Sequence, residues 1–163
     1  MRHFECRNET GTVKGQLAKS VWIIFLTRSL FGVEVENLVL SKEYTRQSPQ
    51  ATIEEIAALP ADAWRPLEAQ ASFGYTEDAI WTRLQLQNLS QESRFILELR
   101  YAGLDLVELY QKENDRFVVR RTGDRLPRSQ RAIRHRLPAL PLTIAPAGKS
   151  TVYLKVKSSS TVI

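Results

Sequence analysis

Apolar and polar residues alternate along residues 79–87: Ile80, Thr82, Leu84 and Leu86 fall on one side, Trp81, Arg83, Gln85 and Gln87 on the other. Successive strand side chains point to opposite faces, so this spacing predicts a strand with one side in a core. The same period recurs at Phe95, Leu97 and Leu99, through residues 104–111, at Phe117 and Val119, and at Leu140, Leu142 and Ile144. It closes with Val152, Leu154 and Val156 on one face and Thr151, Tyr153 and Lys155 on the other. Turn residues separate the runs: residues 89–93, Ala102-Gly103, the hairpin signal Glu113-Asn114-Asp115, and Ala145-Pro146-Ala147-Gly148. Pro138 and Pro141 suggest an edge position for the strand they punctuate.

Only one stretch reads as helix. Thr52-Ile53-Glu54-Glu55 fits a capping box, in which the Thr hydroxyl and the Glu three residues later satisfy each other's exposed amides. Ile53, Ile56 and Ala57, with Leu59, give it an apolar side, and Pro60 stops it. Leu38-Val39-Leu40 reads as a short strand, and residues 61–71, with Trp64 and Pro66, as a packed connection. About 7–8 short strands at roughly 8–12-residue spacing, with one short helix, predict an all-β jelly-roll β-sandwich.

The ends read differently. Residues 1–35 form a disordered leader or a poor signal-like segment, and residues 36–163 the jelly-roll domain. Lys14 and Lys19 precede the apolar run of residues 21–26, which is either an export signal without a good cleavage site or a buried strand. It is too short to span a bilayer, which takes about 18 residues. The apolar end after Ser158-Ser159-Ser160 is that of a sandwich whose last strand is missing or only begun, as in a piece of a longer protein.

Charge changes the picture locally. The formal net charge is +5, yet between Lys112 and Arg136 nine Lys/Arg face three acids, an excess of +6 that leaves the rest close to neutral. The segment 120–136 reads as a long basic loop, solvated and mobile or functional. It has three possible anionic partners. A carboxylate ligand would use Arg131, Arg134 and Arg136, and lipid headgroups suit a domain near a membrane. Nucleic acid is disfavoured, because the loop has no aromatic residue for base stacking. One cysteine, Cys6, and two distant histidines, His3 and His135, exclude an internal disulfide and zinc-type spacing. No cofactor is expected.

Several ordered blocks resemble one family: Thr52-Ile53-Glu54-Glu55 before Trp64-Arg65-Pro66, then Gly74-Tyr75, Trp81-Thr82-Arg83-Leu84 and Asn88. They continue with Leu104-Asp105-Leu106-Val107-Glu108-Leu109-Tyr110, Thr122-Gly123-Asp124, Arg131, His135-Arg136 and Tyr153-Leu154-Lys155-Val156. The chain is similar to the second type of extracellular domain of seven-transmembrane receptors with diverse intracellular signalling modules. The resemblance implies a periplasmic sensor related in shape to carbohydrate-binding modules. Its partners would be a small ligand, a membrane-embedded region and a cytoplasmic signalling module.

Sugar recognition needs an apolar plate for a pyranose face and planar groups for its hydroxyls. On the resemblance, Trp81 and Arg83 supply both, with Tyr110, Asp124 and Arg131 beside them, for a carbohydrate or a small acid. The competing reading packs Trp81 under a loop and pairs Arg83 with an acid such as Asp105 or Glu108. A third reading uses the same face for protein–protein contact or dimerisation. Catalysis is not expected: Asp105 and Glu108 alternate onto different faces of a strand, and no nucleophile has a base nearby in sequence. Thr122-Gly123-Asp124 reads as a turn.

Overall fold

The computed structural model describes residues 24–27, 38–68 and 71–159. They form an antiparallel β-sandwich. The strands are β1 (Ile24–Thr27), β2 (Val39–Gln47), β3 (Arg65–Pro66), β4 (Ala79–Gln87), β5 (Arg94–Leu99), β6 (Leu106–Glu113), β7 (Arg116–Thr122), β8 (Ala139–Thr143) and β9 (Lys149–Lys157). One sheet runs β3-β2-β4-β9-β6-β7 and the other β1-β5-β8. The chain passes between the sheets from β4 to β5, β5 to β6, β7 to β8 and β8 to β9, the wrapping expected of a jelly roll. Within the N-terminal 35 residues, the backbone of β1 pairs with β5. The other residues of the expected leader, with Lys14, Lys19, Cys6 and His3, lie outside the described residues, as do residues 160–163.

The main core lies between the sheets. Ile80, Leu84 and Leu86 of β4 meet Val152, Leu154 and Val156 of β9, Val107 and Leu109 of β6, and Phe95, Leu97, Leu99, Leu140 and Leu142 of the smaller sheet. These are the residues that the alternation assigned to one face, and apolar burial is their driving force. At the end carrying the β4–β5 turn, two buried amides tie the sheets together. Asn88 Nδ2 donates to the carbonyls of Ile144 (2.9 Å) and Ala145 (3.1 Å). Gln111 Nε2 donates to Thr143 O at 2.5 Å, and its Oε1 accepts from Thr143 N at 3.2 Å.

Two elements run longer than their apolar residues suggested. β2 extends through Lys42, Glu43, Thr45 and Arg46 to Gln47, because its pairing with β4 holds the backbone from Val39 to Gln47 although most of these side chains are polar. A bulge between Val39 and Ser41 leaves Leu40 exposed. β7 continues through Arg120 and Arg121, which pair with Glu113 and Glu108 on β6, so the loop begins only at residue 123. Asn114 and Asp115 both take positive φ, the two-residue turn that suits a twisted hairpin. The helix α1 (Ile53–Ala57) carries the expected capping box: Thr52 N donates to Glu55 Oε2 at 2.8 Å, and Thr52 Oγ1 accepts from Glu55 N at 3.3 Å.

Gly123 fixes how β7 leaves the sheet. Its φ is +138°, and a Cβ there would collide with the carbonyl of Asp105. Gly123→Ala is therefore expected to lose about 2 kcal/mol or more in denaturant unfolding, with strained backbone and steric overlap adding. Gly74 has φ +63° but open space within 4 Å. Gly74→Ala should cost only about 1–2 kcal/mol, the left-handed penalty. Equal losses at the two positions would contradict this account.

Candidate ligand site

The outer face of the six-stranded sheet holds three of the residues expected to bind a ligand. Register places Trp81 opposite Lys155 and Lys155 opposite Glu108, with Arg121 beyond. The next row runs Glu43, Arg83, Tyr153, Tyr110. Trp81 is fully buried, at 0% exposure, in a second apolar cluster with Ile53 and Ile56 of α1, Trp64, Ala79 and Tyr153. Its ring lies 5.4 Å from that of Tyr110, and Lys155 Nζ stands 5.0 Å from its centroid. Trp81 thus offers no open plate: α1 and the Trp64 connection cover it. Arg83 donates through Nε (3.0 Å) and Nη2 (2.8 Å) to Glu43 Oε2, and its guanidinium lies 4.5 Å from the Trp64 ring. Its acid is Glu43, directly opposite on β2, and neither Asp105 nor Glu108.

Glu108 organises the row beneath. Its Oε1 accepts from Arg121 Nε at 2.7 Å and its Oε2 from the Tyr110 hydroxyl at 2.9 Å. Burial, and then the Glu108 carboxylate, push the Tyr110 phenol up from its ordinary value. Burial likewise pulls the Lys155 ammonium down, with Lys157 adding repulsion and Glu108 opposing both. Lys155 Nζ donates to the Ala51 carbonyl at 3.3 Å, fastening the start of the α1 segment to the sheet.

Asp124 and Arg131 belong to another part of the fold, the β7–β8 connection. There Arg131 Nε donates to Leu126 O (2.9 Å) and Nη2 to Asp124 O (3.2 Å), so Arg131 shapes the loop. Asp124 N donates to Leu104 O at 2.9 Å, consistent with a turn. The five expected residues therefore fall into two groups: Trp81, Arg83 and Tyr110 on the outer face, Asp124 and Arg131 in the connection.

A cavity of about 750 Å³ opens at that end of the sandwich, lined by residues 75–78, 105–106, 125–126 and 157–159. That volume is in the range of small-molecule sites. Leu106, Leu126 and the Tyr75 ring give it apolar walls, and Tyr75 is 80% exposed. Asp105 and Arg125 meet at 3.1 Å, and both hold the segment after β9. Ser159 N donates to Asp105 Oδ2 and Arg125 Nη2 to Ser159 Oγ, each at 2.7 Å. Burial works to raise the Asp105 carboxyl, but the Ser159 hydrogen bonds and the Arg125 charge outweigh it and hold it below its ordinary value. Lys157, Glu77 and Asp78 line the same space and form no ion pair among the described residues. The sequence signal for this site was faint: an aromatic beside a glycine in a polar turn, Gly74-Tyr75, far from Asp105, Arg125 and Lys157 in the chain.

The model of the family described as 7TMR-DISM extracellular 2 matches residues 43–163. No curated protein matches the chain closely enough to count as a relative.

The burial of Trp81 implies that Trp81→Ala costs about 3–5 kcal/mol in denaturant unfolding, as for a large core truncation. A loss near zero would restore the exposed-plate reading. The depressed Asp105 carboxyl gives an acid signature. Its stabilisation is complete above the ordinary value of 3.8 and is lost as pH falls through the lower folded value. Asp105→Asn should be less stable near neutrality, and its stability curve should fall less steeply in acid. Parallel acid curves for the two proteins would refute the Ser159 clamp.

Proposed function

Because the chain belongs to the 7TMR-DISM extracellular 2 family, and so is an extracellular sensor domain of a membrane receptor, we propose that its ligand sits in the cavity bounded by Tyr75, Asp105, Arg125 and Lys157. The domain binds and does not catalyse. It works on the periplasmic side of a bacterial membrane, and a membrane-embedded region and cytoplasmic signalling module carry the response. The observation that carries this reading is the exposed Tyr75 ring beside a cavity with uncommitted charged groups of both signs.

Charge selects between the two ligand classes. Asp105 and Arg125 satisfy each other, which leaves Lys157 with Glu77 and Asp78. Two carboxylates against one ammonium disfavour an acidic ligand. They suit hydroxyl groups, which donate to carboxylates and accept from an ammonium, while the Tyr75 ring covers a sugar's C–H face. A neutral carbohydrate is thus favoured over a small acid.

A thermal-shift screen of neutral sugars and small carboxylates checks this. Neutral sugars should raise the melting temperature of the wild-type chain. Tyr75→Ala, at an exposed position, should leave the unliganded melting temperature unchanged and weaken binding on the order of tenfold. A screen in which neither class shifts the wild type counts against the cavity, and a sugar shift that survives Tyr75→Ala removes Tyr75 from the site.

A further inference from the structure

The β7–β8 connection is a charged surface with a definite place in the fold. β7 ends at Thr122, paired with Val107 near the start of β6, and β8 begins at Ala139, paired with Glu98 near the end of β5. β9 also finishes at this end, where Val156 lies opposite Ile80 at the start of β4. The connection therefore occupies the end of the sandwich at which the chain leaves its last described strand. Residues 123–138 carry five arginines, Arg125, Arg128, Arg131, Arg134 and Arg136, against one acid, Asp124, an excess of +4.

Those arginines are not equivalent. Arg125 is committed to Asp105 and Ser159, and Arg131 to two backbone carbonyls within its own loop. Arg128, Arg134 and Arg136 are exposed and form no ion pair among the described residues. The backbone beneath them is held by Gln130 N to Pro127 O (2.9 Å), Ala132 N to Arg121 O (2.9 Å) and His135 N to Ile133 O (3.0 Å). At the opposite end, by the β6–β7 hairpin, Lys112 pairs with Asp115 at 3.1 Å and Glu113 with Arg120 at 2.6 Å, while Arg94, Arg116 and Lys149 are exposed and form no ion pair among the described residues.

We propose that Arg128, Arg134 and Arg136 form a docking surface for anionic lipid headgroups, which sets the domain's basic end against the membrane. Three observations select that partner. An extracellular domain of a membrane receptor is held close to a bilayer. Arg128, Arg134 and Arg136 follow one another within nine residues of one connection, where several guanidinium groups can meet a plane of phosphates together, whereas the exposed unpaired cations of the opposite end, Arg94, Arg116 and Lys149, come from three separate strands. Residues 123–138 contain no Phe, Tyr or Trp, which disfavours single-stranded nucleic acid. This surface is separate from the Tyr75 cavity and does not depend on its ligand.

Co-sedimentation of the full chain with vesicles tests it. Binding is expected to equal parts phosphatidylglycerol and phosphatidylcholine, with little to phosphatidylcholine alone, and should fall steeply with salt. The triple variant R128A/R134A/R136A should bind on the order of 100-fold more weakly, about fivefold per arginine. Arg116→Ala, an exposed arginine at the opposite end, should bind as the wild type does. Circular dichroism and melting temperature establish that the variants fold, and the wild-type salt series is independent of them. Equal binding to pure phosphatidylcholine, unchanged binding by the triple variant, or an equal loss in Arg116→Ala would each overturn the proposal. So would a DNA duplex bound as tightly as the anionic vesicles at the same salt.

Discussion

A strand at the middle of a sheet has two faces, and both must be dealt with. In the six-stranded sheet that demand falls on β4 and β9. The smaller sheet covers their inner face, and α1 with the Trp64 connection covers part of the outer one. This second covering decides the character of the molecule. It turns Trp81 into core, confines Lys155 between an indole and the Ala51 carbonyl, and leaves Glu108 to satisfy Tyr110 and Arg121 in a half-buried row. A polar row of that kind is tolerated only because each charged group has a partner. The outer face is thereby largely spent on structure, and open chemistry is left to the end of the sandwich.

At that end, close backbone approach and charge pairing work together. Gly123 lets β7 leave the sheet against the Asp105 carbonyl, and its neighbour Asp124 bonds through its amide to Leu104. The connection that follows returns Arg125 to Asp105, and the two side chains hold Ser159. Three segments distant in the chain, residues 105, 125 and 159, are thus fixed around one cavity wall. The opposite end is locked by Asn88 and Gln111, whose amides bridge backbone groups of the two sheets.

The inner face was legible because alternation records burial directly: Ile80, Leu84 and Leu86 needed only their spacing to be placed. The capping box at Thr52 and Glu55 was legible because its geometry is local. What covers the outer face was not, since nothing in the period of β4 reveals that Ile56 and Trp64 return over Trp81. For the same reason the partner of Arg83 was out of reach. It depends on the register of β2 against β4, which sets Glu43 opposite Arg83, and on β2 being longer than its apolar residues implied. Tyr75 and Trp81 show the limit most clearly. Each is an aromatic beside a polar neighbour in sequence, and only the tertiary covering makes one core and the other exposed.

The distribution of commitments explains why the two candidate surfaces lie where they do. Among the charges at the basic end, Asp105 and Arg125 serve twice, as cavity wall and as ties on Ser159. A group that takes the Arg125 Nε or Nη2 donors does so at the expense of Asp105 or of Ser159 in the segment following β9, because those are the donors these two residues use. Arg128, Arg134 and Arg136 carry no such obligation, so contact with a charged plane costs the fold none of these bonds. Occupancy of the cavity and contact at the arginine surface therefore act on different bonds within one rigidly held end. The cavity bears on Ser159 through side chains already engaged, and the outer arginines bear only on what lies beyond the domain.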